Sequence, residues 1–302
     1  IDMNILVTGG CGYVGSVLVP KLLDRGNEVC VVDTQWFGNY LASHPSLKIL
    51  KKSVADLSDS DLVGVEVVIH LANIANDPSV ELNPTFSWEV NVLHTTQFLE
   101  LCKRISTIKK FIYASSGSVY GLKEEDKVTE ELSLVPISVY NKTKMSAERI
   151  CLSYNEYFDV ICVRPATVCG VSPRMRFDVV VNMFVLQAFL NHKIIVHGGY
   201  QIRPNIHIDD MASVYLHLLN KESSYRGTFN AGFENVSVLD IAKYVQEKFE
   251  VEIEISPSLD PRSYRQDSSK LLGTGFTPTK SVKCAIDDIS EKLSTGEIVD
   301  DD

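Results

Sequence analysis

The sequence lacks the patterns that commonly hold metal ions or disulfides. It has seven cysteines and seven histidines in 302 residues, but no two cysteines stand in CxxC spacing and no HExxH motif occurs. The cysteine number is odd and several lie inside apolar runs, which indicates buried reduced thiols, as in cytoplasmic proteins. We therefore expect no metal site, no disulfide framework and a cytoplasmic location.

Long apolar runs and clusters of positive charge are also missing. No stretch reaches the roughly 18 apolar residues of a membrane span, and no charged-then-apolar leader opens the chain, so we expect no membrane association and no secretion signal. The net charge is −10 and lysines and arginines cluster no further than short pairs, which argues against nucleic acid as a partner. With 45% hydrophobic and 23% charged residues, the composition excludes a disordered chain or a coiled coil.

The sequence does contain an alternation of short apolar strands and amphipathic helices. Strands are predicted at 4–8, 28–33, 47–50, 65–71, 110–115 and 159–164, and helices at 14–24, 84–102 and 138–157. Nearly continuous apolar strands are typical of a parallel sheet that is covered on both faces. Right-handed crossovers between them then give a Rossmann-type, doubly wound α/β fold.

The alternation becomes less regular after about residue 165. Helices are predicted at 177–190, 209–219, 238–250 and 282–293, and strands at 193–197, 228–231 and 251–255. We therefore expect a Rossmann-type domain over 3–170, to which some later elements return. A smaller α+β lobe would follow over 171–293, and 294–302 would form an acidic tail.

A glycine-rich turn follows the first predicted strand. Gly9, Gly12 and Gly15 have G-x-x-G-x-x-G spacing, and a helix comes next. The first glycine allows a tight turn, the second lets backbone approach a pyrophosphate, and the third lets helix and strand pack closely. Asp33 ends the second strand, where its carboxylate would bind an adenosine ribose and repel a 2′-phosphate. The motif therefore predicts a dinucleotide site for NAD rather than NADP.

A second pattern predicts acid–base chemistry. Tyr140 and Lys144 are four residues apart and share one face of a predicted helix. A neighbouring ammonium favours the phenolate, so the pair suits a base that takes a proton from an alcohol. The fifth strand ends in the serine-rich run SSGSVYG at 115–121, where a hydroxyl could hold the substrate oxygen.

Together these motifs resemble the extended short-chain dehydrogenase/reductase family, in its nucleotide-sugar epimerase/dehydratase branch. Further segments agree with that family in order along the chain, namely 56–57, 70–73, Asn91, 164–170 and 203–210. The resemblance covers about 3–293. It implies that 3–170 binds NAD, that 171–293 mostly binds a nucleotide-diphosphate sugar, and that a homodimer forms through the helices at 84–102 and 138–157.

The resemblance also implies residue roles. Tyr140 would be the acid/base, Lys144 would lower its pKa and bind the nicotinamide ribose, and Ser116, rather than Ser115 or Ser118, would be the catalytic serine. The implied cofactor contacts are Gly9, Gly12, Tyr13, Val14, Gly15, Asp33, Asp56, Leu57, Leu71, Ala72, Asn91, Ser115, Tyr140, Lys144, Pro165 and Val168. The implied substrate contacts are Thr167, Asn182, Arg203 and Arg262.

The members of this family share a first step, oxidation of the sugar at C4, and differ in the second step. In 4,6-dehydratases the catalytic Ser/Thr is followed by Asp-Glu, but this chain has Gly117 and Ser118 there, which disfavours elimination of water. We expect a 4-epimerase. The alternatives are a 4-dehydrogenase or 4-ketoreductase with net redox, a simple alcohol dehydrogenase, and a non-catalytic NAD-sensing or scaffold protein.

Overall fold

The computed structural model describes residues 2–73, 82–220, 222–258, 260 and 263–299. These residues form two compact units. The first consists of the chain up to Gly121, of Ser133–Arg164 and of Ala212–Phe229. The second consists of Leu122–Leu132, of Pro165–Met211 and of the chain from Asn230 onward. Each unit therefore combines segments that are distant in the sequence.

The first unit is built on a seven-stranded sheet. Its strands are β1 (Asn4–Thr8), β2 (Glu28–Asp33), β3 (Leu47–Lys51), β4 (Val67–His70), β5 (Lys110–Ala114), β6 (Asp159–Pro165) and β10 (Gly227–Ala231), in the order β10-β6-β5-β4-β1-β2-β3. β1 pairs in parallel with both β2 and β4, so the strand order reverses at β1. The predicted Rossmann-type fold is confirmed, and such a reversal is where these sheets bind ligands.

Helices cover this sheet. They are α1 (Gly15–Asp24), α2 (Pro84–Trp88), α3 (His94–Lys103) and α4 (Val139–Leu152), with 3-10 turns at Val54–Asp56, Asp59–Leu62 and Gly117–Tyr120. A π-helical turn, Glu89–Leu93, joins α2 to α3. The run predicted as one helix over 84–102 is thus interrupted. One core cluster packs α3 and α4 against the sheet through Phe98, Leu99, Phe111, Cys151 and Cys162.

The second unit holds smaller sheets. β7 (Thr167–Cys169), β9 (Ile202–His207) and β11 (Glu234–Ser237) form one, and β8 (Lys193–His197) pairs in parallel with β12 (Glu252–Ser256). The helices are α5 (Val180–Asn191), α6 (Ile208–Leu218), α7 (Val238–Gln246), α8 (Ser269–Leu272) and α9 (Val282–Thr295). β7, β9 and β11 were not predicted, because they are short and carry polar residues or proline. α6 begins in this unit and ends in the first one.

Serine residues define where several helices begin. Ser138, Ser237 and Ser281 precede α4, α7 and α9, and each accepts a backbone N–H of the first turn on its side chain. At the other end, α4 stops at Leu152, five residues before the predicted boundary. Among the described residues, no helix is long and apolar enough to cross a membrane. No group of three or more His, Cys, Asp or Glu side chains in those residues could hold a metal ion.

Candidate active site

The glycine loop that follows β1 is shaped by close backbone approaches. Gly9 has a φ of +69° and donates its N–H to the Val32 carbonyl over 2.8 Å. A Cβ atom on Gly9 would lie 2.8 Å from the Ala72 nitrogen, in the chain that leaves β4. A Cβ atom on Gly15 would lie 2.6 Å from the backbone of Gly10. Packing within the protein therefore requires glycine at both positions.

Gly12 differs from these two glycines. Within the described part of the chain, a Cβ atom on Gly12 would meet only the Gly9 carbonyl oxygen, at 3.3 Å. Tyr13 is buried, and α1 begins after Val14 with no acidic residue in its first turn. A helix N-terminus of this kind attracts an anion, and a glycine leaves room for a phosphate against the backbone. The loop therefore fits the pyrophosphate of a dinucleotide.

Asp33 ends β2 beside the glycine loop. Its Oδ2 accepts the Cys11 N–H over 3.0 Å, and its Oδ1 accepts the Gln35 N–H over 2.7 Å. A carboxylate offers about four lone-pair sites, so Asp33 keeps acceptor capacity for the hydroxyls of a ribose. Burial, and then the charge of Asp33, raises the pKa of the Cys11 thiol to about 12. Cys11 is therefore a protonated thiol near neutral pH.

Other predicted cofactor contacts of this unit lie where strands and turns end. Asp56 closes a 3-10 turn and is exposed, while Leu57 is half-buried and packs against the core. Leu71 and Ala72 leave β4 next to Gly9, whose missing Cβ makes the approach possible. Leu71 and Ala72 are thus placed beside the glycine loop, and the roles of all four residues stay predictions.

His70, the last residue of β4, joins three elements beneath this edge. Its Nδ1 lies 2.6 Å from the Thr8 hydroxyl of β1, and its Nε2 lies 2.9 Å from the Thr95 hydroxyl of α3. Burial, and then the charge of Lys144, lowers the pKa of His70 to about 3. A neutral imidazole with both nitrogens occupied is a structural link rather than an acid or base.

Tyr140 and Lys144 lie one turn apart on α4. Tyr140 is half-buried, whereas Lys144 is 1% exposed. The Lys144 Nζ donates to the Ala114 carbonyl at the end of β5 over 2.5 Å and lies 4.9 Å from the centre of the Tyr113 ring. The helix therefore presents the tyrosine near the surface and holds the lysine against the end of β5.

Burial also favours the neutral form of Lys144. It lowers the pKa of Lys144 to about 7, while Cys151 and Glu148 act in the opposite direction. The ammonium and the neutral amine are then both accessible near neutral pH. A phenolate formed next to Lys144 would stabilise its ammonium, which is the coupling that a tyrosine base requires.

The serines at the end of β5 have different surroundings. Ser115 is 4% exposed and donates to Glu148 Oε2 over 2.5 Å. Ser116 precedes the 3-10 turn, and its Oγ lies 2.7 Å from the Ser118 Oγ and accepts the Ser118 N–H over 3.2 Å. Ser115 is thus committed to a buried carboxylate, whereas Ser116 and Ser118 form a separate hydroxyl pair.

A buried ion pair behind these serines was missed in the sequence. Arg164, in β6, donates to both carboxylate oxygens of Glu148, over 2.5 Å and 3.1 Å, and to the Tyr120 hydroxyl over 2.8 Å. The two charged side chains are 6% and 1% exposed. The available signal was spacing, because Glu148 follows Lys144 by four residues and so shares its helix face.

Asn91 lies in the π-helical turn and is buried. Its Nδ2 donates to the Thr143 hydroxyl over 3.1 Å, and that hydroxyl donates to the Tyr140 carbonyl over 2.7 Å. Asn91 therefore contacts the first turn of α4, where Tyr140 lies. π-helical turns often occur at functional sites. The contacts of Asn91 are explained by its hydrogen bond to Thr143, so its predicted cofactor role stays a prediction.

The described residues among the predicted contacts of the second unit lie at the end of β6, on β7, on α5 and on β9. Pro165, Thr167 and Val168 are half-buried. Asn182 is buried on α5, where its Oδ1 accepts the Gly170 N–H over 3.1 Å and its Nδ2 donates to the Arg176 carbonyl over 2.8 Å. Asn182 therefore holds the 170–176 loop.

The two predicted substrate arginines differ in what the structure shows. Arg203 lies on β9, with a side chain 17% exposed, and its Nη2 is 3.3 Å from Asp260 Oδ2. Arg262 lies outside the described residues. The structure thus gives surroundings for Arg203, and the predicted role of each arginine stays a prediction.

The buried lysine predicts a pH-dependent stability. Its pKa is about 7 in the folded protein, against the ordinary value of 10.5 for an exposed lysine in the unfolded chain. Between these values the unfolded state binds more protons, so the free energy of unfolding rises with pH. We expect the free energy of unfolding of the wild type to rise by up to about 1.4 kcal/mol per pH unit more than that of Lys144→Met.

Chemical denaturation of the cofactor-free protein between pH 7 and 10 would measure this difference. Lys142→Met serves as the matched control, because Lys142 is exposed on the same helix and its variant should run parallel to the wild type. Parallel profiles for wild type and Lys144→Met would contradict the expectation.

Comparison with known proteins identifies the family of this chain. The profile of the NAD dependent epimerase/dehydratase family matches residues 5–232. UDP-glucuronic acid decarboxylase 1 of Arabidopsis thaliana is 32% identical over 287 residues, which are 89% of this chain and 64% of the decarboxylase. The chain thus spans less than two thirds of the length of that relative.

Two further proteins are similar over more of their own length. A putative UDP-glucose 4-epimerase of Methanocaldococcus jannaschii is 32% identical over 72% of this chain and 73% of its own. The solved structure of a UDP-glucose 4-epimerase with UDP-glucose from Thermotoga maritima matches with a TM-score of 0.87 at 26% identity, covering 98% of this chain and 100% of that one. With the family profile matched over well more than half of its length, this chain belongs to the NAD-dependent epimerase/dehydratase family of the extended short-chain dehydrogenases/reductases.

Proposed function

We propose that the protein oxidises C4 of a nucleotide-diphosphate sugar with NAD and returns the hydride to the opposite face, as a 4-epimerase. One observation carries this proposal. Tyr140 and Lys144 lie one turn apart on α4, with the lysine bonded to the end of β5. β5 lies next to β4 in the sheet whose strand order reverses at β1, the position at which doubly wound folds bind dinucleotides.

The residues present fit NAD. Gly12 leaves space beside the start of α1, and Asp33 keeps acceptor capacity at the end of β2. Asp33 would hold the adenosine ribose and repel a 2′-phosphate, which favours NAD over NADP. When bound there, NAD supplies the acceptor for the hydride that leaves C4.

The side chains of the first unit supply the proton chemistry. Tyr140 as phenolate takes the proton of the sugar 4-hydroxyl. The Lys144 ammonium stabilises that phenolate, since an opposite charge nearby favours the ionised form. Ser116 donates a hydrogen bond to the oxygen on C4 and holds it next to Tyr140. For the return of hydride, Tyr140 gives the proton back to the oxygen.

The second unit would bind the nucleotide diphosphate. Arg203 supports this, because it offers a fork of donors suited to phosphate, and it is paired with the half-exposed carboxylate of Asp260. Thr167, Asn182 and Arg262 remain predicted substrate contacts. Under this proposal 3–170 holds mainly the cofactor and 171–293 mainly the substrate.

Epimerisation is preferred over two other second steps, namely net oxidation and elimination of water. The relatives named above include UDP-glucose 4-epimerases. Gly117 and Ser118 offer no acid or base for elimination after the C4 ketone forms. A 4-dehydrogenase or 4-ketoreductase shares the first step and differs in releasing the keto sugar and the reduced cofactor.

The glycine loop predicts opposite effects for two matched substitutions. Gly12→Ala should lower the melting temperature less than Gly9→Ala but weaken NAD binding by about tenfold or more, because its Cβ takes the space offered to the pyrophosphate. Gly9→Ala should instead lose about 1–2 kcal/mol or more of stability, because of its positive φ and backbone contacts. Calorimetric titration with NAD and thermal unfolding would measure both. Unchanged NAD affinity in Gly12→Ala would place the cofactor elsewhere.

The reaction is tested with UDP-, GDP-, dTDP- and CDP-glucose, by chromatography of the products and by the absorbance of NADH. We expect one of them to be converted to its C4 epimer without net NADH. Tyr140→Phe should lower kcat about 10²–10⁴-fold while NAD still binds, because the acid/base is removed. NADH formed in step with product would establish the dehydrogenase instead. Wild-type turnover in Tyr140→Phe, or no turnover of the four sugars by the wild type, would reject the proposal.

We also propose a homodimer that pairs the helical run 84–103 and α4 of each subunit. Trp88 and Leu93 on that run are large apolar side chains that are 39% and 50% exposed. Sedimentation should give about twice the chain mass of 33.6 kDa. A monomer at micromolar concentration would contradict the pairing.

A further inference from the structure

Hydrogen bonds connect the proposed catalytic serine, through Ser118, to Asn141 on α4. The Ser116 Oγ lies 2.7 Å from the Ser118 Oγ, and the Ser118 Oγ donates to Asn141 Oδ1 over 2.6 Å. Ser116 also accepts the Ser118 N–H over 3.2 Å. Asn141 immediately follows Tyr140 and is buried. Ser116, Ser118 and Asn141 together form a hydroxyl relay.

The relay can point its protons in only one direction at a time. Ser118 has a single hydroxyl proton and stands between two partners. When that proton goes to Asn141 Oδ1, the proton of Ser116 goes to Ser118. Ser116 then accepts one hydrogen bond, donates one, and has no proton for a ligand. In this direction Ser116 cannot donate to an oxygen on C4.

The oxygen on C4 needs a donor both before and after oxidation, because the single proton of the sugar hydroxyl goes to Tyr140. The keto oxygen has no proton and must accept hydrogen bonds, so Ser116 has to donate. It can donate only if Ser118 turns its proton toward Ser116. Ser118 can do so when its other partner is a donor rather than an acceptor.

Asn141 can be that donor. Its amide oxygen and its NH2 group are nearly equal in size, so the side chain can present either to Ser118 within the same volume. With Oδ1 toward Ser118, Nδ2 is buried and meets no hydrogen-bond partner among the described residues. Turning Nδ2 toward Ser118 satisfies one of its N–H groups and leaves a carbonyl without partner, and a buried C=O is the less costly orphan.

We propose that Asn141 is a positioning residue that sets the direction of the hydroxyl relay, and that its Nδ2 must face Ser118 for Ser116 to donate to the C4 keto oxygen. The inference rests on the proposed function, because Ser116 is there the partner of that oxygen. It predicts that replacing Asn141 by an isosteric side chain that only accepts hydrogen bonds lowers kcat more than replacing it by a smaller side chain.

Asn141→Asp and Asn141→Ala test that order, with the nucleotide glucose that the wild type turns over. A carboxylate at 141 only accepts, so it fixes the relay in the unfavourable direction. We expect kcat to fall about 10²-fold with KM unchanged, as for loss of one donor to a developing oxyanion. Asn141→Ala leaves Ser118 free to donate to Ser116 and should lose less than about tenfold in kcat. A purely structural role predicts the reverse order.

The pH dependence of Asn141→Asp adds a second signature. Burial raises the pKa of a carboxyl, and the protonated form can donate its O–H to Ser118. The ratio of Asn141→Asp to wild-type kcat should therefore rise as pH falls through that pKa. The same ratio for Asn141→Ala should stay flat.

Ser118→Ala separates the relay from the charge that an aspartate brings close to Tyr140. Without the Ser118 hydroxyl, the direction set at 141 is no longer transmitted, so adding Asn141→Asp should cost less than about threefold further in kcat. A direct effect of the charge on Tyr140 would persist as a 10²-fold loss in the double variant. Melting temperatures and NAD affinity identify any variant that fails to fold. If Asn141→Asp does not fold, Asn141→Ala and Ser118→Ala test the relay in its place.

The outcomes distinguish a failure of the relay from a failure of the proposed function. Wild-type turnover with an inactive Tyr140→Phe, together with Asn141→Asp within twofold of the wild-type kcat, would overturn the relay alone. A rise in KM without a fall in kcat would show that Asn141 binds the sugar directly, which also overturns it. Activity in Tyr140→Phe, or no turnover by the wild type, would overturn the proposed function and the relay with it.

Discussion

Glu148 and Arg164 form a buried ion pair on which the arrangement around α4 depends. The charges meet over 2.5 Å, and their side chains are 1% and 6% exposed. Two charges removed from water remain stable only if further hydrogen bonds satisfy them, and here Ser115 and Tyr120 do so. Loss of one partner would leave an uncompensated buried charge, which typically costs about 3–5 kcal/mol. The ion pair thus connects α4 and the end of β6 with Ser115 and Tyr120, which lie before and after Ser116 in the sequence.

The buried face of α4 is unusually polar for a helix that packs on a sheet. Asn141, Thr143, Lys144 and Glu148 are all buried there, next to the apolar Ala147 and Cys151. Each of these polar side chains has a partner on a neighbouring element, as with Lys144 on the Ala114 carbonyl and Thr143 with Asn91, although the Nδ2 of Asn141 meets none among the described residues. A low local dielectric strengthens such bonds and also shifts pKa values, which explains the lowered pKa of Lys144. Stability and proton chemistry therefore depend on the same contacts.

The sheet of the first unit could be predicted because its strands are apolar and lie between recognisable turns. The second unit was harder, since β7, β9 and β11 are short and include Thr167, Pro204 and Asn235, so they lack a clear period-two pattern. The π-helical turn at Glu89–Leu93 has no sequence signature of its own. Leu122–Leu132 joins the second unit through a bridge between Val128 and Gln266, a long-range contact invisible to local patterns.

Local spacing by itself determined the glycine loop, the acid at the end of β2 and the shared helix face of Tyr140 and Lys144. These features depend on residues close together in the chain, so periodicity and turn chemistry suffice to predict them. Only the tertiary structure decided which serine is free of the buried carboxylate, which charges are paired and which direction the hydroxyls can point. Those properties depend on partners such as Arg164 and Asn141, which come from other segments and whose burial changes the cost of every unpaired proton.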